Sequence, residues 1–150
     1  MTDTTQSDQE VRITRMFEAS RERVFRAWTD PDDVAVWFSP EPLTVPRDSV
    51  RIDLRVGGRY ELTMQQPDGV EAPLGFEIVE LDPPALLVLR SDPMPEAGMP
   101  EPTLVRIELH EEGSGTRMEL ADGPYPTGFG VHAERGWLSA FGKLASVVSV

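Results

Sequence analysis

The sequence predicts an α+β domain in which a curved antiparallel sheet of six or seven strands wraps one long C-terminal helix, with two short helices after the first strand. Three observations predict it. From Val50 to Leu120, apolar residues recur at every second position in short runs. The turns joining most of these runs are too short for a crossover helix, so successive strands pair antiparallel. From about Val131 to Val148, Trp137, Ala140, Phe141, Leu144 and Val148 share one side of a helical projection, opposite Arg135, Ser139, Lys143 and Ser146. That helix supplies the cover that the dry face of such a sheet requires.

The elements follow in order. Residues 1–9 are polar and unpatterned and read as a disordered tail, leaving residues 10–150 as a single domain. Val11, Ile13 and Phe17 alternate along a first strand; Arg15 shares their parity, as either a snorkelling side chain or a cation aimed at the interior. Ser20 can cap a helix running to about Thr29, with Val24, Ala27 and Trp28 as its inward stripe. Asp30-Pro31 ends it. A second short helix carries Val34 and Trp37 until Ser39-Pro40-Glu41-Pro42 breaks the pattern.

A meander comes next. Val50, Ile52 and Leu54 lead to a turn at Gly57-Gly58, and Tyr60, Leu62 and Met64 to one at Pro67-Asp68-Gly69. Leu74, Phe76 and Ile78 precede Asp82-Pro83-Pro84, and Leu86-Leu87-Val88-Leu89 follows as a continuous apolar run. Val105, Ile107 and Leu109 pair across Glu112-Gly113-Ser114-Gly115 with Met118 and Leu120. The Pro- and Met-rich segment from Asp92 to Pro102 is either a disordered connection, the favoured reading, or a lid over the pocket.

Composition narrows the functional classes. A chain of 150 residues with 39% hydrophobic content can bury one core without metals or disulfides, and it has no Cys for either. Its formal charge of −12 repels phosphate backbones, which argues against nucleic acid and anionic membranes as partners. There is no apolar run of spanning length and no signal-peptide pattern in the opening residues, so the expected location is cytoplasmic and membrane insertion is not expected. Lys143 is the only Lys and Asn is absent, a usage expected of a GC-rich bacterial genome.

No nucleotide loop, zinc helix or nucleophile elbow is present, and Gly113-Ser114-Gly115-Thr116 sits in a hairpin turn. With His110 and His132 alone, a metal site would need mostly carboxylates, and His110 beside Glu111 and Glu112 reads as a solvated turn. No metal or cofactor is therefore expected. On the last helix, Glu134 falls about 60° from Trp137 and His132 about 140° away, which turns Glu134 to the covered side and His132 outward. A Glu in a first turn also suits the helix dipole, so Glu134 is either a helix-start preference or a pocket acid. Trp37, Phe38, Tyr60, Met64, Phe76, Met118, Trp137 and Phe141 fall on inward parities, each alone more often core than ligand site. Together they exceed what one helix-sheet layer needs, so they are the candidate lining of a hydrophobic pocket.

Ile13-Thr14-Arg15 with Phe17, Val24 through Pro31, Trp37, Gly57-Gly58-Arg59-Tyr60, Pro67-Asp68-Gly69, Gly75-Phe76, Pro83-Pro84, Gly115 through Met118, His132 and Gly136-Trp137 form an ordered set. In this set the chain resembles the activator of heat shock protein 90 ATPase homologue-like family, within the START-like, polyketide cyclase and birch-allergen superfamily. The resemblance implies a helix-grip fold and a cavity used across the superfamily for lipids, polyketides, hormones or toxins. Where many relatives carry Trp-Trp-Gly-Pro, this chain has Trp37-Phe38-Ser39-Pro40, which implies a different pocket mouth. Chaperone activation in eukaryotic members depends on an additional domain that these 150 residues do not contain.

Three functions follow as expectations. The first is binding of a small hydrophobic or amphiphilic molecule between sheet and helix. The second is a cyclase, dehydratase or hydrolase using Glu134, His132, Arg15 or Tyr60 as polar groups in the cavity. The third is a chaperone-interacting module with a packed interior.

Overall fold

In the computed structural model, which describes residues 10–149, the chain opens on β1 (Val11–Phe17), α1 (Arg21–Thr29) and α2 (Pro31–Trp37). The expected tail at residues 1–9 lies outside the described residues. Strands β2 (Arg51–Ile52), β3 (Arg59–Gln65), β4 (Glu71–Asp82), β5 (Leu86–Ser91), β6 (Leu104–Glu112) and β7 (Gly115–Gly123) follow, and α3 (Phe129–Val148) closes the fold. All seven strands join one antiparallel sheet in the order β1-β7-β6-β5-β4-β3-β2. A register shift between Ile78 and Glu80 bends the long β4, as bulges do, and helps the sheet curl around α3.

Local chemistry sets the two short helices. Ser20 Oγ accepts from the Arg23 amide at 3.2 Å, and Asp30 Oδ1 accepts from the Asp32 amide at 2.9 Å with Pro31 at the first helical position. Val24, Ala27 and Trp28 of α1 and Val34 and Trp37 of α2 are buried, as their spacing predicts. Trp28 packs edge-on to Trp37 with ring centroids 4.6 Å apart and meets Trp137 of α3 at 5.8 Å. The polar atoms of this aromatic hub are satisfied internally. Trp37 Nε1 donates to the Ala27 carbonyl at 2.7 Å, the Tyr60 hydroxyl to the Trp28 carbonyl at 2.6 Å, and Trp28 Nε1 to Met118 Sδ at 3.4 Å.

Three expectations need adjustment. β2 is two residues long, and Leu54, read as an inward strand position, is 43% exposed. The cause is the turn: Asp53 N already bonds to the Arg59 carbonyl at 2.8 Å, and Gly57 N crosses to Ile78 O at 2.8 Å, so no ladder remains for Leu54. Gly58 permits the fold-back, since a Cβ there would lie 2.0 Å from Asp53 O. α3 begins at Phe129, two residues ahead of the expected start. The segment after β5 is ordered: Pro95–Ala97 forms a 3-10 turn, and Met94 and Met99 exchange backbone hydrogen bonds of 2.6 and 2.9 Å. None of the described helices is long and apolar enough to cross a membrane.

Candidate functional site

Curling the sheet around one helix leaves a space that the hub of α1 and α2 fills at one end only. At the other end lies a cavity of about 220 Å³. Ala133, Gly136, Trp137 and Ala140 of α3 form one wall, Met64, Leu74 and Phe76 of β3 and β4 the facing wall, and Phe38 with Pro40 the end nearest the hub. Met94 and Met99 line the space from the segment after β5, so that segment occupies the position of a lid, where a connection was favoured from sequence. Ser39, Ser91, Thr103, Asp122 and Tyr125 supply the polar side chains of an otherwise apolar lining.

Phe38, Met64, Phe76 and Trp137, half of the predicted pocket residues, line this cavity. Trp37, Tyr60, Met118 and Phe141 share the inward parity but are fully buried in the hub and do not reach the space. Of the candidate catalytic groups, none lies in the lining. The Tyr60 hydroxyl is committed to the Trp28 carbonyl, and desolvation pushes its pKa up. Arg15 is half-buried on β1 with its guanidinium 5.7 Å from the Phe17 ring centroid, opposite Met118. His132 is exposed, in accord with its projected direction.

Glu134 is corrected. It was expected on the covered side, yet it is exposed. The buried stripe of α3 is centred close to Trp137, and a residue about 60° off that centre stands at the margin, where a carboxylate turns to water because burial would cost several kcal/mol.

The acid inside the cavity wall is Asp122, which the sequence reading passed over. It is 1% exposed and belongs to the inner strand β7, with Val11 of β1 and Val105 of β6 on either side. Its Oδ2 accepts from Trp137 Nε1 at 2.7 Å and from the Tyr125 hydroxyl, while Oδ1 has no hydrogen-bond partner within the protein. Desolvation raises its pKa from 3.8 to about 6, with hydrogen bonding from Tyr125, Trp137 and Thr103 pulling the other way. Burial and the neighbouring carboxylate push the Tyr125 phenol up as well. Strand parity was the available signal: Asp122 is in phase with the inward Met118 and Leu120, a phase that turns an acid toward the interior.

On the half-buried outer side of the sheet, His110 belongs to β6 rather than to a turn, with Nε2 3.3 Å from Glu108 Oε1 and 3.8 Å from Glu119 Oε1. Both carboxylates are already engaged, Glu108 by Arg106 Nε at 2.7 Å and Glu119 by Arg117 Nε at 3.0 Å. The cluster is therefore balanced by cations of the chain itself, and those bonds hold the Glu108 pKa below its ordinary value.

Comparison with known proteins places this geometry. The family model of Activator of Hsp90 ATPase homolog 1-like proteins matches residues 18–149. Among curated proteins, none matches. Solved structures do. Protein CV1439 from Chromobacterium violaceum is 26% identical, superposes with a TM-score of 0.86, and the match covers 95% of this chain and 98% of that one. CalU16 from Micromonospora echinospora is 26% identical with a TM-score of 0.71, over 93% of this chain and 76% of its own. Protein NE0264 from Nitrosomonas europaea, at 24% identity and a TM-score of 0.81 over 96% of each chain, shares the fold.

Proposed function

This chain belongs to the Activator of Hsp90 ATPase homolog 1-like family, and on that premise we propose that it binds one small, largely apolar molecule in the cavity between α3, the sheet and the Met94–Met99 lid. The family's fold supports a ligand-binding or cyclase-type role in general. The observation that carries the binding reading is the cavity itself: an apolar space of about 220 Å³ beside a continuous core of buried side chains. Its size is just below the usual range of roughly 300–1,000 Å³ for ligand pockets, which points to a short ligand. Three flanking methionines, Met64, Met94 and Met99, offer adaptable packing around such a molecule.

Filling the space tests this reading. Gly136 faces the cavity, and a Cβ there would meet only Pro40 at 3.8 Å, so Gly136→Leu can enter the space without strain in α3. Binding of 1-octanol, followed by Trp137 fluorescence and calorimetry, is expected to weaken at least tenfold in this variant, with urea unfolding still cooperative and stability not reduced. Equal affinity in both proteins would place the probe elsewhere and remove the proposal.

An acid–base enzyme is the second reading, and Asp122 favours it. A wall carboxyl with a pKa near 6 exchanges its proton close to neutral pH, as general catalysts require. A variant Asp122→Asn that keeps a neutral substrate but loses turnover would mark it; unchanged turnover would exclude it.

A further inference from the structure

Asp122 is the only charged side chain among the residues lining the cavity. The groups that hold it are neutral: the Trp137 indole and the Tyr125 hydroxyl donate to Oδ2, and the Thr103 hydroxyl stands close enough to favour the ionised form as well. Oδ1 is buried with no partner, although an unsatisfied buried carboxylate oxygen is among the more costly features a fold can carry. No Arg, Lys or His of the described residues contributes to its ionisation equilibrium, whose causes are burial and neutral hydrogen bonds alone. What the site lacks is a positive charge with an N–H to donate.

We infer that the cavity is built for a cationic amphiphile, a short apolar molecule bearing a protonated amine whose N–H bonds to Asp122 Oδ1. This inference rests on the binding reading above and names the chemistry of its ligand. The ammonium supplies both missing elements, a donor for Oδ1 and the counter-charge for the carboxylate, while its tail occupies the apolar wall of Met64, Phe76, Met94 and Met99. Above pH 6 the carboxyl is mostly ionised and ready for that partner. The formal charge of −12 favours approach of a cation and repels a fatty acid of the same length.

Three eight-carbon probes test the inference by calorimetry at pH 7.5: octylammonium, 1-octanol and octanoate, each below its micelle concentration. Octylammonium is expected to bind at least tenfold more tightly than octanoate, and Asp122→Asn is expected to abolish that preference. Equal affinity of ammonium and carboxylate, or a preference that survives Asp122→Asn, would overturn the inference. Binding of 1-octanol without any ammonium preference defeats this inference alone, whereas no binding of 1-octanol defeats the cavity reading itself.

A measurement on the unaltered protein guards against a variant that fails to fold. In 0.5 M salt, which screens the overall charge, lowering the pH from 7.5 to 4.5 protonates Asp122 and is expected to reduce octylammonium affinity relative to 1-octanol by tenfold or more. The groups around Asp122 do not titrate over that range: Val11 on β1, Ser91 at the end of β5, Thr103 just before β6, Val105 on β6, Trp137 on α3, and Tyr125, whose phenol is pushed further up. A constant ratio across that interval would overturn the inference.

Discussion

Asp122 keeps a carboxyl at 1% exposure, and its titration is therefore tied to folding. Its pKa rises from 3.8 in the unfolded chain to about 6 in the fold, so the native state holds this proton more tightly. The sign follows from that difference. The group's contribution to stability is greatest below about pH 4, falls as pH rises toward 6, and is constant above, a loss on the order of 3 kcal/mol. Asp122→Asn removes the titration and retains an acceptor for Trp137 and Tyr125. Urea unfolding at pH 4.5 and 7.5 is expected to show that the native sequence loses about 2 kcal/mol more than the variant over this interval. The other carboxylates contribute equally to both proteins, so identical pH dependence would mean that Asp122 is not buried as described.

At the scale of elements, the lid is the part whose geometry decides access. The Arg59 guanidinium clasps Asp92 at its start, with Nη1 to Oδ1 at 3.1 Å, and Gly75 of β4 lies beneath that pair, where a Cβ would meet the ends of both side chains at 2.5 Å and make the pair shift. The far end turns at Gly98, whose φ of +81° only glycine adopts freely, and a Cβ there would stand 3.0 Å from Phe129 Cζ at the start of α3. Gly98→Ala is expected to loosen the lid by about 1–2 kcal/mol. Hydrogen exchange at the Met94 and Met99 amides should then quicken roughly tenfold, with β6 and β7 unaffected. Unchanged exchange at both amides would show that Gly98 does not hold the lid. The lid was only half legible in the sequence: Met94 and Met99 marked a sticky segment, but nothing local indicates that Asp92 meets Arg59, 33 residues earlier.

At the scale of the whole molecule, period-two runs and one amphipathic helix were enough to read the sheet and its cover, because face is a local property of spacing. Depth along that face is not local. Tyr60 and Met64 lie on one face of β3, yet Tyr60 is in the hub and Met64 in the cavity wall, since α1 and α2 cover one end of the sheet and not the other. Asp122 was readable from its phase with Met118 and Leu120, whereas its unpartnered oxygen depends on where Tyr125 and Trp137 arrive in space. Five of the six methionines lie among the described residues, and they divide the molecule conveniently. Met64, Met94 and Met99 line the cavity, Met118 is buried in the hub, and Met16 is 50% exposed on β1. Methyl NMR of the methionine-labelled protein titrated with 1-octanol reads all of these positions at once. Occupancy of the cavity predicts saturable shifts at Met64, Met94 and Met99 with one common affinity, while Met16 stays still; shifts led by Met16, or no shift at those three, would contradict it.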